Sequence, residues 1–297
     1  MIRLPDERYL ERIGAAGLGR DGVLHPTGAG LLMFGEEHRI TRHFNEYFLD
    51  YRENMDPSIR WTDRVQSQSG DWSGNVFDFF FRVFSKATRD FPKPFKLEGI
   101  NRVDDTPLHQ AFREALANCI TNADFYLPRG LVIIKEPNRI VLQNPGSIRT
   151  GLSQMIKGGV SDPRNKGIMK MWNLLKIGER AGSGVPDIYA TWRNSGLGAP
   201  CVEESFGPDR TTMILPLTKI GLNEANPEAN EANPEANSPL WVRIVEELRT
   251  NPKATQIGLA TRLGVSRATV QRAMNALAKE GRIKRQGGTR GRWVVNE

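Results

Sequence analysis

At 297 residues, with 39% hydrophobic residues, six Trp and thirteen Phe, the chain is long enough for two or three domains and rich enough in large apolar side chains to give them cores. No stretch approaches twenty apolar residues and the opening MIRLPDERYLERIG lacks a signal-peptide pattern, so a membrane-spanning helix is excluded and a soluble, cytoplasmic protein with no membrane partner is expected. The net charge of +7 is concentrated at one end: from residue 239 onward twelve Lys/Arg face four Glu, a net of +8, as expected where phosphates are neutralised.

Cys119 and Cys201 form no CxxC pair and read as reduced structural residues, and the four histidines (His25, His38, His43, His109) are scattered without metal spacing, so no metal cluster is predicted. In the first hundred residues the clearest pattern is Phe77, Phe80, Phe81 and Phe84, at i, i+3, i+4, i+7, which reads as the core stripe of a helix rather than a base-stacking platform.

Residues 106–217 are organised differently. TPLHQAFREALANCITNADF offers Leu108, Phe112, Ala115, Leu116, Cys119 and Ile120 as one buried stripe, with Thr106 as cap and Pro107 in the first turn. Glu114 and Asn118 are four apart, which puts a carboxylate and a carboxamide on one helix face; they read either as a solvated face or as a ligand-binding pair. GLVIIKE and RIVLQN flank Pro137-Asn138 as an antiparallel hairpin, and Asn144-Pro145-Gly146 breaks the second strand. A glycine-rich, mobile segment is expected next (GSIRTGLSQMIKGGVSDPRN), then a helix over GIMKMWNLLKI. GERAGSG follows with Gly178, Gly182 and Gly184 ahead of a further helix, whose first N–H groups suit phosphates, although glycine-rich turns are also commonly structural. FGPDRTTMILPL reads as a closing hairpin strand.

Residues 223–237 are NEANPEANEANPEAN, two copies of NEANPEA and a closing Asn, polar and punctuated by proline. The heptad period has no apolar a/d pair, so it predicts a flexible tether spanning about 20 to 25 Å rather than a coiled coil. The last sixty residues then read as a winged helix-turn-helix. Leu240, Trp241, Ile244, Val245 and Leu248 form the stripe of a supporting helix; 255–263 is a second helix, Gly264-Val265 a tight turn, and Ser266 caps a third helix that stops at Gly281. Ile257, Leu259, Leu263, Val265, Val270, Met274 and Leu277 are its expected core. Ser266, Arg267, Thr269, Gln271, Arg272 and Asn275 are left to reach DNA, and RIKRQGGTRGRWVV predicts a hairpin wing carrying Arg282, Lys284, Arg285, Arg290 and Arg292 for the phosphate backbone. A winged helix used for protein contact alone is the competing reading.

The order of helix with ExxxN, strand pair, NPG, glycine-rich segment, RN, helix, GxxxAGSG and closing hairpin resembles the divergent GHKL-type ATPase module of transcriptional regulators related to Schlafen AlbA domains, often labelled RecG-like; EALAN, QNPG, PRN and GERAGSG carry the likeness jointly. HPTGAGLLMFG (25–35) is similar to the end of the AlbA-type domain, and 44–51 and 76–95 resemble the connecting domain, so most of an AlbA-type region would be absent and the chain reads as a short form or fragment. The resemblance implies an α+β protein: a remnant of the AlbA-type end plus a connecting α/β domain (1–100), a GHKL-like α/β sandwich (101–220), the linker (221–238) and the tethered winged helix-turn-helix (239–297).

By position, it further implies Glu114 as general base or water-orienting carboxylate, Asn118 as a Mg²⁺ ligand between nucleotide phosphates, Gly146 beside the base, and Gly182, Ser183 and Gly184 beside the phosphates. Asn144 stands where active GHKL enzymes carry the adenine-reading aspartate. Asn122-Ala123-Asp124-Phe125 stands where the regulators carry HRDY, so His and Arg are missing while Asp124 remains; Arg164 reads equally as a phosphate contact or, with Asn165, as part of a plain N-cap. The implied cofactors are ATP and Mg²⁺, with at most a weak Mg-dependent ATPase. The function expected is a transcriptional regulator that binds double-stranded DNA and carries a degenerate nucleotide-binding sensor, with a nucleotide effector and, by analogy with paired winged helices, a homodimer. The alternatives are an ATP-hydrolysing enzyme, though not a motor with a GxxxxGK[ST] loop, and a dimerisation scaffold without nucleotide.

Overall fold

The computed structural model describes residues 6–92, 97–98, 101–102, 105–178, 184–219, 240–252, 254–263, 267–279, 281–286 and 292–295. They fall into two compact units, Met1–Ile220 and Gly221–Glu297. The first contains α1 (Asp6–Ile13), β1 (Ala16–Leu18), β2 (Leu24–Pro26), α2 (Gly28–Phe34), α3 (Glu37–Ile40), β3 (Leu49–Glu53), β4 (Asp63–Gln66), α4 (Val76–Ala87), β5 (Leu97–Glu98), β6 (Asn101–Arg102), α5 (Pro107–Asn122), β7 (Leu131–Glu136), β8 (Arg139–Pro145), α6 (Leu152–Lys157), α7 (Lys166–Leu174), α8 (Gly184–Asn194), β9 (Cys201–Ser205) and β10 (Arg210–Pro216).

Six strands form one sheet in the order β4-β3-β7-β8-β10-β9, with β3 and β7 parallel and every other neighbouring pair antiparallel. Burial alternates along β7, where Leu131, Ile133 and Lys135 are buried and Val132, Ile134 and Glu136 are less so. That is the period-two signature of a sheet covered on one face. The covering layer is α4, α5, α7 and α8, and their side chains close a single core with the sheet: Phe79, Phe80, Phe112, Leu116, Ile120, Trp172, Ile188 and Trp192 are all essentially inaccessible.

The sheet runs across the division expected near residue 100. β3 and β4 are its continuation beyond β7, and the join is reinforced by polar groups. Asp50, fully buried, accepts from Arg64 at 2.9 Å and also binds Arg52. Lys135, only 2% exposed, reaches Asp90 at 2.7 Å, and Glu53 accepts from the Tyr51 hydroxyl at 2.7 Å and from Arg89 at 2.9 Å. A buried charge left unpaired would be strongly destabilising, so each cation and anion here fixes the position of its partner.

α5 forms as its sequence predicts. Thr106 caps it, Pro107 occupies its first turn, and all six residues of the expected stripe are buried. α4 departs from expectation: Phe80 is buried, but Phe81 is 44% exposed and the core positions are filled instead by Val76, Phe79 and Val83. Phe77 and Phe84 are partly buried against the core, and Phe77 stacks on Trp172 with ring centres 6.2 Å apart. The stripe is therefore rotated toward Phe79, where α4 packs against β3 and β4 as well as α2 and α5. The segment expected to be glycine-rich and mobile contains α6, and α7 ends at Leu174, with Lys176 at φ +56° and Ile177 returning to the core. Cys119 is buried and Cys201 exposed, both free.

The second unit contains α9 (Leu240–Thr250), α10 (Gln256–Leu263), α11 (Arg267–Lys279), β11 (Ile283–Gln286) and β12 (Arg292–Val295), the last two paired antiparallel. This is the winged helix-turn-helix order. Its core is Ile244, Leu248, Leu259, Ala260, Leu263, Val270, Met274, Leu277 and Ile283. Ile257 is a correction: it is 60% exposed, and Ala260 takes the inward position on α10. Val265, the Gly264-Val265 turn, Gly287-Gly288 and the repeat linker lie outside the described residues.

Candidate functional site

A cavity of about 120 Å³ lies between α5, the sheet and the segment 147–163. α5 contributes Glu114, Asn118, Cys119 and Asn122; β8 and β10 contribute Leu142, Asn144, Thr211 and Met213; β9 contributes Val202; and the 147–163 segment supplies Ile148, Arg149, Met155, Val160 and Asp162. The strands present these residues together because Leu142 pairs with Met213 and Asn144 with Thr211 in the β8–β10 register, which puts all four on the helix-facing side.

Glu114 and Asn118 are a built pair: Asn118 Nδ2 donates to Glu114 Oε1 at 3.0 Å. That bond orients the carboxamide so that its Oδ1 is the atom left to face a hard cation or a donor. Glu114 is bracketed by glycine backbone. A Cβ on Gly184 would stand 2.2 Å from Glu114 Oε1 and 3.1 Å from Asn118 Nδ2, and one on Gly178, at φ +76°, would approach Glu114 Oε2 at 3.7 Å. A side chain at Gly184 would have to displace the end of the Glu114 side chain. Gly182 and Ser183 lie outside the described residues.

Asp124, Gly146 and Arg164 form a second cluster at the end of α5. Arg164 donates from Nη1 to Asp124 at 3.2 Å, from Nε to Asn122 O at 3.3 Å and from Nη2 to Ser147 O at 3.2 Å. Gly146, at φ +99°, lies against this guanidinium, where a Cβ would be 3.0 Å from Nη2. Asn165 occupies the N-cap position of α7 without capping it; its Nδ2 donates to Thr121 O at 3.0 Å and Ala123 O at 2.7 Å. The N-cap role expected of Arg164-Asn165 is not observed. The two residues satisfy carbonyls at the end of α5 and join them to the start of the 147–163 segment, which serves the backbone accounting of a helix terminus.

The 147–163 segment is tied at both ends. Ile148 N donates to Glu204 at 2.7 Å, and Arg149 pairs with Asp162 at 2.9 Å, across the neck of the segment. Burial raises the Glu204 carboxyl above its ordinary range, the Ile148 N–H acting against this and Asp209 adding to it. Cys119, also on the cavity wall, is a poor nucleophile, because burial raises its thiol to about 12 in spite of the nearby Arg210. Glu204, Arg149 and Asp162 were missed in the sequence because nothing in their spacing couples them to α5. Among the described residues no group of three or more His, Cys, Asp or Glu could hold a metal ion. A divalent ion at Asn118 and Glu114 would thus draw most of its ligands from water or a ligand's own oxygens, the usual condition of nucleotide-borne Mg²⁺.

In the winged unit Gln271 and Asn275 of α11 are exposed, as are Lys284, Arg285 and Arg292. Arg292 donates across the hairpin to Gln286 Oε1 at 3.2 Å, and Arg285 lies over the Trp293 ring at 5.6 Å. Arg282 is half-buried, its guanidinium 4.7 Å over the Trp241 ring of α9. It therefore has a structural contact that the alternation of the wing did not reveal. Ser266 and Arg290 lie outside the described residues, as do the side chains of Arg267, Thr269 and Arg272.

Residues 132–215 match the family described as "Putative ATP-dependent DNA helicase recG C-terminal", residues 242–284 match "Winged helix-turn-helix DNA-binding", and residues 1–50 match a domain of unknown function. The first two, in this order, match the architecture of the AlbA/RecG-like regulators that the sequence resembles. No curated protein matches the chain. The crystal structure of the DIP2311 protein from Corynebacterium diphtheriae is similar in fold, with a TM-score of 0.54 at 17% identity over 99% of this chain. The chain spans 58% of the length of that protein. The winged helix supports DNA binding, and the ATPase-like domain supports a nucleotide-binding region. No helix among the described residues is long and apolar enough to cross a membrane.

Proposed function

We propose that this protein is a DNA-binding transcriptional regulator in which the cavity beside α5 takes a nucleotide effector, with DNA held by the winged unit. The observation that carries the reading is the Asn118–Glu114 pair set 3.0 Å apart on the cavity wall against the glycine start of α8. It combines a cation-binding oxygen, a carboxylate and a helix N-terminus, which is the chemistry a metal-bridged phosphate chain requires. The cofactors would be ATP or a similar nucleotide with Mg²⁺ at Asn118; when bound, the ion would neutralise phosphate charge.

Glu114, which accepts from Asn118, would orient a water. Asn144 in place of an aspartate and the absence of a His-Arg pair before Phe125 favour slow hydrolysis or none. ATP hydrolysis remains the second reading, carried by Glu114 on the cavity wall.

The test is a thermal-shift series on the whole chain with Mg-nucleotides, since a ligand that binds the native state raises its stability by mass action. Asn118→Ala should abolish the shift. Glu114→Gln keeps size and hydrogen bonding, so it should keep the shift and remove any turnover. Rapid ATP turnover that survives Glu114→Gln would overturn this order of readings, and a wild-type chain unmoved by every nucleotide would leave the scaffold. For DNA, residues 238–297 have their own core and should bind with an affinity that falls steeply with salt; equal binding by residues 1–220 would sink the assignment.

A further inference from the structure

Among the described residues one face of the six-stranded sheet has no covering layer. The helices lie on the side of Tyr51, Ile133, Leu142 and Met213, so the alternate residues of each strand face away from them. The register sets five of these in one row across the strands: Arg52 on β3, Ile134 on β7, Val141 on β8, Ile214 on β10 and Cys201 on β9. The middle of the row is apolar, and Val132 adjoins it on β7. A solvated face of an antiparallel sheet is ordinarily polar, whereas LVII in β7 and IVL in β8 run apolar without a break, the pattern of strands covered on both sides. The two ends of the row differ in charge. Beside Arg52, the guanidinium groups of Arg60 and Arg64 both lie over the Trp61 ring, at 4.6 and 4.7 Å, and Asp50 is the one acid paired with this group among the described residues. At the other end Glu203 is exposed beside Cys201, whose thiol it accepts from at 3.9 Å, and among the described residues it has no cation partner.

We propose that this face docks a second copy of the same chain, related by a two-fold axis that lies in the plane of contact and runs parallel to β8. An axis along the strands reverses the strand order of one sheet over the other. Val141, on the middle strand of the row, then meets its own counterpart, and Ile134 meets Ile214 of the second copy. The arginine edge at Arg52 and Arg64 meets the second copy's Glu203, and symmetry makes that contact twice. An axis across the strands would lay each edge on itself, arginine over arginine, so charge selects the first arrangement. Sheets packed face to face stand about 10 Å apart with their strands within about 30° of each other, which keeps the two rows in contact. Five strands spaced about 4.8 Å, each about six residues long, present roughly 500 Å² per copy; the total of about 1,000 Å² is the lower end of a specific interface, so a dimer that dissociates in the micromolar range is expected. The contact leaves the α5 cavity on the opposite side of the sheet and stands whether or not a nucleotide binds there. Each dimer carries two winged units, which suits a DNA site made of two half-sites.

The experiment is sedimentation velocity of the whole chain without DNA or nucleotide, with the melting of each variant as the check on folding. Between about 1 and 100 µM the wild type should pass from monomer to dimer. Raising the salt should weaken the dimer, because its edges are charged. Ile214→Lys sets two ammonium groups into the apolar row and should leave a monomer throughout that range. Glu203→Lys turns an attraction into a repulsion at both edges and should weaken the dimer by at least about tenfold. A wild type that is still monomeric at about 100 µM would overturn the proposal. So would a dimer that both substitutions leave intact, since its contact would lie elsewhere on the chain. A dimer broken by Ile214→Lys yet untouched by Glu203→Lys would overturn the axis along the strands. If Ile214→Lys does not fold, Glu203→Lys at its exposed position still decides.

Discussion

Arg282 illustrates how one side chain changes role once its neighbours are known. In the sequence it is one of five cations near a glycine pair; in the fold its side chain covers Trp241 at 4.7 Å, linking the start of the wing to α9, while its backbone N–H donates to Leu277 O of α11 at 2.9 Å. Arg292, by contrast, is exposed, and among the described residues its side chain bonds only to Gln286 within the hairpin. Arg282→Ala should therefore lower the stability of the winged unit by about 1 kcal/mol, the usual worth of a cation over an indole face, whereas Arg292→Ala should stay within about 0.5 kcal/mol of wild type. Urea midpoints of the two variants check this, and equal midpoints would show that Arg282 is only a surface charge. Both variants should weaken DNA binding at low salt, so stability is the readout that separates them.

At the level of elements, α8 and the 147–163 segment govern access to the cavity. Gly184→Ala places a methyl group 2.2 Å from Glu114 Oε1, and either the carboxylate or the start of α8 must move. We expect a loss of the nucleotide-dependent thermal shift together with a fall in Tm; an unchanged shift would mean that the α8 terminus does not shape the site. Glu204 ties β9 to Ile148. Its carboxyl is raised above the ordinary value of 4.5, chiefly by burial, so its favourable contribution is fully present below about pH 4.5 and is lost as pH climbs through the raised value. Relative to Glu204→Gln, the wild type should then lose stability between about pH 4.5 and neutrality, measured as urea midpoints across that range. A flat difference would show that the carboxyl titrates as an exposed one.

At the scale of the whole molecule, the two units have separate cores, one centred on Phe79, Phe112 and Trp172 and one on Leu259, Val270 and Met274. Met274→Ala removes a fully buried side chain from the second and should cost about 2 to 5 kcal/mol there. Followed by calorimetry, only the transition of the winged unit should shift. A matching shift in the other transition would show that the units unfold together.

Local rules were enough for much of this chain. α5 with its cap and buried stripe, the β7–β8 hairpin, the three helices and wing of the second unit, and the Glu114–Asn118 pairing all depend on residues close in sequence, where periodicity, capping and turn chemistry act directly. Tertiary structure decided what joins distant segments. The parallel pairing of β3 with β7 brings together Tyr51 and Ile133, some eighty residues apart, and no local pattern encodes which strand a half-buried run will lie beside. The same holds for Arg164 and Asn165, whose side chains turn to α5 carbonyls more than forty positions earlier, and for Phe81, left outside because the covering helices select Phe79. Spacing determines which residues share a face of one element. Which neighbour meets that face depends on burying area and pairing charge across the whole fold, and that choice converts ExxxN on one helix into a walled cavity.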